Sequence, residues 1–233
     1  MAVFNKKTTL VHHITYMGIM AAINFIFVLL ATFIPAFMFL LILILPFAST
    51  IVSYYCLKKY YIIYAVASVV LCLITGNFAD TIFYVVPAII TGFVIGVLLG
   101  KKINPFWLIL VSSLIESLLT FAFIPLINLI IHDDIVALFL NAFRITNFAY
   151  KTELTYLFVY FISLLQCSLS HFIMFTDSKK IGIEINTCIP SFIPFIIGDE
   201  LCIALCFVFA FFYTPIAFVM AAISIYFSIF LLI

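Results

Sequence analysis

The 233-residue chain is 68% hydrophobic and 8% charged, with a mean hydropathy of +1.42 and a formal net charge of +1. No water-soluble domain of this size could cover such a core with polar surface, so the composition specifies a membrane protein. The near-zero charge offers no electrostatic handle on a polyanion and argues against nucleic acid as a partner.

Eight of the ten basic residues form four pairs: Lys6-Lys7, Lys58-Lys59, Lys101-Lys102 and Lys179-Lys180. The intervals between pairs each hold two crossings, so all four pairs can lie on one side. Short cytoplasmic loops collect Lys and Arg, which places that side, and the N-terminus, in the cytoplasm. The basic patch at the start runs into a full-length span with no small-residue cleavage site before it, so no cleavable signal peptide is expected.

A crossing needs about 20 apolar residues. In chain order the sequence predicts an all-α polytopic bundle forming a single integral membrane domain over residues 1–233. It has about eight spans, at 14–34, 36–57, 60–76, 82–100, 105–131, 153–175, 188–213 and 216–233. Pro35 marks the first hairpin, and the second span must tolerate Pro46. Gly76-Asn77-Phe78-Ala79-Asp80 joins the next pair, and Tyr213-Thr214-Pro215 turns the last. The C-terminal part can also be read as one long kinked helix after an interfacial stretch at 188–198, giving fewer spans. Residues 135–150 are too short and polar to cross and read as an extracytoplasmic amphipathic helix, a surface connector or a lid. Asp133 or Asp134 can cap it. Asn141, Arg144, Phe148 and Lys151 would share its polar face, opposite Ile135, Leu138, Ala142 and Ile145.

Three helical stripes lie within the spans. In the fourth, Ala88, Gly92, Gly96 and Gly100 recur every four residues, and Gly18 and Ala22 repeat the pattern in the first. Lipid removes the hydrophobic drive between helices, so close approach through small residues must supply it. The fifth span carries Ser112, Ser113, Glu116, Ser117 and Thr120 on one face, continued by Asn128 three turns on. Glu116 falls near the bilayer centre, where an ionisable group is costly and points to function by default. The same stripe can instead be packing glue between helices. The sixth span carries Ser163, Gln166, Cys167, Ser170 and His171. Two such faces side by side would enclose a polar cavity, with Asp199 and Glu200 as a candidate third wall. His171 can equally be a packing residue.

Enzyme chemistry has no foothold here. There is no G-x-S-x-G, no H-E-x-x-H and no phosphate-cradling glycine loop, and Arg144 is the only arginine. His132-Asp133-Asp134 is a fragment of a metal site with no second cluster on its side. No catalytic residue, metal or cofactor is therefore expected. Cys56, Cys72, Cys167, Cys188, Cys202 and Cys206 show no C-x-x-C spacing and read as reduced hydrophobes.

The basic N-terminus, the first-span motif Gly18-Ile19-Met20-Ala21-Ala22 and the segment FYVVPAIITGFVIGVLLGKK at 83–102 together resemble the substrate-binding S components of energy-coupling factor vitamin transporters and their uncharacterised eight-span relatives. The resemblance covers residues 10–185. It implies that Gly18 and Ala22 contact a shared transmembrane coupling subunit, that ATPases supply energy, and that spans four to six hold a vitamin-like small molecule. Within that region the polar stripes, rather than the resemblance, make Ser113, Glu116, Ser117, Thr120, Asn128, Gln166 and His171 the candidate ligand contacts, in the inner or plasma membrane. The alternative is a non-transporting scaffold or assembly factor of the cell-envelope morphogenesis type. In it the glycine ridge docks another membrane protein.

Overall fold

The computed structural model describes residues 10–34, 36–76, 78, 81–142, 150–176 and 192–232. Among these residues the chain is helical throughout, with no strand. The helices are α1 (Leu10–Phe33), α2 (Ala36–Tyr55), α3 (Tyr61–Leu73), α4 (Val86–Gly100), α5 (Pro105–Ile131), α6 (Ile135–Ala142), α7 (Lys151–Thr176), α8 (Phe192–Phe212) and α9 (Thr214–Leu232). A π-helical turn, Thr81–Val85, leads into α4. Asn104 caps α5 by accepting the Phe106 amide at 2.9 Å, and Pro105 occupies the first turn, where its missing N–H costs nothing.

Among the described residues six helices are long and apolar enough to cross a membrane: Leu10–Phe33, Thr81–Gly100, Pro105–Ile131, Lys151–Thr176, Ile193–Phe212 and Thr214–Leu231. They mark a multi-pass membrane protein. The C-terminal region forms two antiparallel helices rather than one kinked helix. Asp199 bonds Ser224 and Ser228, while Cys206 approaches the Ala217 carbonyl, so sequence numbers rise on one helix as they fall on the other. The predicted second and third spans are not among the six; within α2 the apolar helix Ile44–Tyr55 is shorter than a span. α3 has 13 residues, about 20 Å of rise against a hydrocarbon core of about 30 Å.

The glycine ridge locates its neighbour inside the chain. A Cβ added at Gly92 would lie 2.4 Å from the Ser49 Cβ and 2.7 Å from the Pro46 carbonyl oxygen. At Gly96 it would lie 2.5 Å from the Ser53 Cβ and 2.8 Å from the Thr50 carbonyl oxygen. Only glycine fits, and α2 is the partner. Numbers rise together along the two helices, so α2 and α4 run parallel. Their C-terminal ends, and with them Lys58-Lys59 and Lys101-Lys102, therefore share one end of the bundle. The start of α1 lies there too, with the Cys56 thiol 4.0 Å from the His13 carbonyl oxygen. Ala88 is fully buried. Gly100, expected to extend the ridge, has nothing within 4 Å, because α2 has ended at Tyr55 before that turn is reached. Gly18 likewise meets nothing within 4 Å, and Ala22 is exposed, so this face of α1 looks out of the bundle.

A buried polar network reinforces the seam. The Asn24 amide of α1 donates to the Tyr64 hydroxyl of α3 at 2.8 Å, and the Ser49 hydroxyl of α2 lies 3.0 Å from the same oxygen. Tyr61 donates to the Ile89 carbonyl at 2.7 Å, and Ser53 to the Phe93 carbonyl at 2.9 Å. Four helices are thereby tied together through groups that lipid could not satisfy.

Asp134 caps α6 as expected, its carboxylate accepting the Val136 amide at 3.0 Å. α6 is described to Ala142, while Arg144, Ile145 and Phe148 of the predicted amphipathic helix lie outside the described residues. Lys151 belongs to α7 rather than to that helix. Lys6-Lys7, Lys179-Lys180, Pro35 and Cys188 also lie outside them. Of the other cysteines, all are free and all but Cys206 are buried.

Candidate functional site

α7 packs against α5, α2 and α9, so its polar face turns inward. α5 runs antiparallel to it: Glu116 meets Cys167, and five residues later Phe121 stacks on Tyr156 with ring centroids 4.6 Å apart. The two predicted polar stripes therefore face each other. Ser112, Ser113, Glu116, Ser117 and Thr120 are all buried, as are Ser163, Gln166, Cys167, Ser170 and His171.

The contact at the centre is the Cys167 thiol, which donates to a Glu116 carboxyl oxygen at 3.2 Å. Glu116 is 3% exposed and is the one acidic group in the seam between α5 and α7 among the described residues. The hydroxyls around it turn away. Ser112 donates to the Leu108 carbonyl, Ser113 to Leu110 at 3.1 Å, Ser117 to Leu114 at 3.0 Å and Thr120 to the Glu116 carbonyl at 2.9 Å. In an apolar medium the nearest acceptor of a helical Ser or Thr is the carbonyl three or four residues back, and these side chains take it. Most of the expected cavity wall is thus folded back onto its own helix, although Ser113 also engages the Tyr160 hydroxyl of α7.

α7 behaves differently. The Ser168 and Ser170 hydroxyls and both ring nitrogens of His171 have no hydrogen-bond partner among the described residues. His171 is 2% exposed, and its ring stacks on Phe175 at 6.4 Å. It stands one helical turn from Cys167 and on the same face. A neutral imidazole has a donor and an acceptor to satisfy, and burying both unpaired is costly. α7 thus carries, one turn beyond the Cys167 bond to Glu116, a buried imidazole whose hydrogen-bonding capacity is unused. That arrangement can take a small molecule offering both a donor and an acceptor.

Two expectations are corrected. Asn128 does not extend the site: its side-chain oxygen accepts the Ile135 amide at 3.0 Å, which fixes the turn from α5 into α6. It lies twelve residues, about 18 Å of helix, from Glu116. The proposed third wall is absent as well. Asp199 receives the hydroxyls of Ser224 and Ser228 at 2.5 and 2.8 Å, and Glu200 is exposed on the outside of α8.

Sequence reasoning missed Asn24, Ser49, Ser53, Tyr61 and Tyr64. Asn24 carried the available signal, as an amide deep inside an otherwise apolar 24-residue helix. A crevice of about 260 Å³ lined by Leu154, Leu157, Phe158, Phe161 and Ile225 occupies a different face of α7 and has no polar wall. No group of three His, Cys, Asp or Glu side chains among the described residues could hold a metal ion.

No family model matches the chain, and no curated protein or solved structure matches it.

Proposed function

We propose that this multi-pass membrane protein is the small-solute-binding component of a transporter, holding its ligand between α5 and α7. The observation that carries the reading is buried Glu116, bonded to Cys167 of α7, with the unpartnered imidazole of His171 one helical turn further along α7. Polar groups left unpaired in a dry interior cost free energy that a matched solute would recover on binding. Glu116, Gln166, Ser170 and His171 are the contacts, and Ser113, Ser117 and Thr120 shape the wall. The solute is vitamin-like in the sense of the S components that the sequence resembles. Energy comes from a transmembrane coupling subunit and its ATPases, or from an ion gradient with Glu116 as the proton carrier. The outward-facing Gly18 and Ala22 support the first of these, since a coupling subunit could approach them closely. The lysine-bearing end faces the cytoplasm, and the membrane is the cell's inner or plasma membrane.

The test is thermal unfolding of the protein in lipid nanodiscs against a panel of small polar vitamins and their precursors. A solute that raises the melting temperature for the native chain, and not for Glu116→Gln, supports the reading. A panel without effect, or one whose effect survives Glu116→Gln, sinks it.

A second reading draws on the hydroxyls folded back along α5, which is how packing groups behave. The chain would then be a scaffold or assembly factor of the cell-envelope morphogenesis type. Glu116→Gln would leave solute binding without meaning and disturb complex assembly instead.

A further inference from the structure

α8 is the outlying helix of the bundle. It packs along α9 and touches α5 near one end, where Phe195 lies 5.1 Å from Phe106. Its remaining surface is exposed and apolar, through residues such as Ile197, Leu201, Val208 and Phe211. Acyl chains satisfy these side chains. They do not satisfy Glu200, which is exposed on the same surface.

Glu200 is the ninth residue of a 21-residue helix. At 1.5 Å per residue it stands about 12 Å from one end and 18 Å from the other. Lys and Arg can carry a charge that far to the interface on their long stems, whereas a glutamate side chain is too short. An acid held at that depth is expensive and marks a function. Its neighbour is an internal control. Asp199 sits at the same depth of the same helix, and the chain supplies it with two serine hydroxyls. No described residue bonds Glu200.

We propose that the outer face of α8 docks a membrane-spanning helix of another protein, one that carries a lysine or arginine at the depth of Glu200. The pairing removes two costs together, because a cation in the middle of a span is as poorly placed in lipid as the acid is. A second copy of this chain fits worse. Copies inserted in one membrane share an orientation, so a two-fold contact through α8 sets Glu200 against Glu200. The described cations Lys58, Lys59, Lys101, Lys102 and Lys151 all lie at helix ends and cannot meet it. The inference is independent of the seam between α5 and α7.

The experiment is an energy-transfer titration in lipid bilayers between the labelled protein and synthetic transmembrane peptides of about 22 leucine and alanine residues. The central residue of the peptide is Lys, Leu or Glu. The Lys peptide is expected to associate at least about tenfold more tightly than the Leu peptide, and Glu200→Gln to abolish that difference. Glu200→Lys is expected to transfer the preference to the Glu peptide. Unchanged melting of both variants shows that they fold. Equal binding of the Lys and Leu peptides overturns the proposal, as does a preference that survives Glu200→Gln. So does a native homodimer that dissociates on Glu200→Gln.

Discussion

Both halves of the bundle bury unpaired polar groups, His13 and Thr91 in one and Ser168, Ser170 and His171 in the other, but they differ in how their paired groups are used. From α1 to α4 the paired groups join helices: Tyr64 links α1, α2 and α3, while Tyr61 and Ser53 reach the backbone of α4. Between α5 and α7 the Cys167 thiol bonds Glu116 and Ser113 also engages the Tyr160 hydroxyl, while His171 is left with both nitrogens unpaired. Bilayer hydrocarbon offers no hydrogen bonds, so the first arrangement is what a structural role requires. What sets His171 apart among the described residues is that both of its polar atoms are buried and unpaired.

The largest expected effect falls in the first half. Gly92→Val should displace the α2 backbone and cost more than about 3 kcal/mol, the upper range for overpacking, read as loss of a monodisperse folded species in detergent. Gly18→Ala and Gly100→Ala, where nothing lies within 4 Å, should melt like the native chain. If all three behave alike, the parallel seam of α2 and α4 is misassigned.

The second effect belongs to the other half and separates binding from folding. Glu116→Gln should weaken solute binding by about 10- to 100-fold, the range for a hydrogen bond to a charged group, while shifting stability by under about 1 kcal/mol. His171→Phe should unfold no more readily than the native chain, since it removes an unpaired polar group, yet should also lose the solute. A His171→Phe protein that is clearly less stable would show that the imidazole is a structural element like Tyr64, and the contrast between the halves would collapse.

Smaller effects sharpen it. Tyr64→Phe strands the amide of Asn24 and should cost about 1 kcal/mol, in line with interhelical bonds in membranes, measured by chemical denaturation in mild detergent. Asn128→Ala should cost about 0.5–1 kcal/mol through the lost contact to the α6 backbone and leave solute binding unchanged. A binding defect there would restore Asn128 to the site.

Much of this was legible because it is local. Helical period placed Glu116 with Ser113 and Ser117 on one face, and Cys167 with His171 on another, and the two faces do meet. The spacing of Gly92 and Gly96 announced a close approach. What spacing cannot give is the identity of the neighbour, since α2 and α4 meet across more than 40 residues of chain. Nor can it give rotamers, so the return of the Ser113, Ser117 and Thr120 hydroxyls to their own backbone was invisible. Asp199 and Glu200 are adjacent in sequence yet face different ways, because 100° of helical rotation carries one toward α9 and the other outward. Tyr61 and Tyr64 passed as apolar bulk, since a hydroxyl at the tip of a ring leaves little trace in a hydropathy profile.

The parallel run of α2 and α4 also constrains biosynthesis. Two helices pointing the same way cannot enter the bilayer as a hairpin, so α2 must wait until the chain between them has turned back and α4 has emerged. During that interval Ser49, Thr50 and Ser53 face lipid or the insertion machinery without the glycine surface that later covers them. A chain cut short near residue 80 should therefore be held by insertion chaperones or cleared by membrane proteases, whereas one reaching residue 104 already contains a closed four-helix seam.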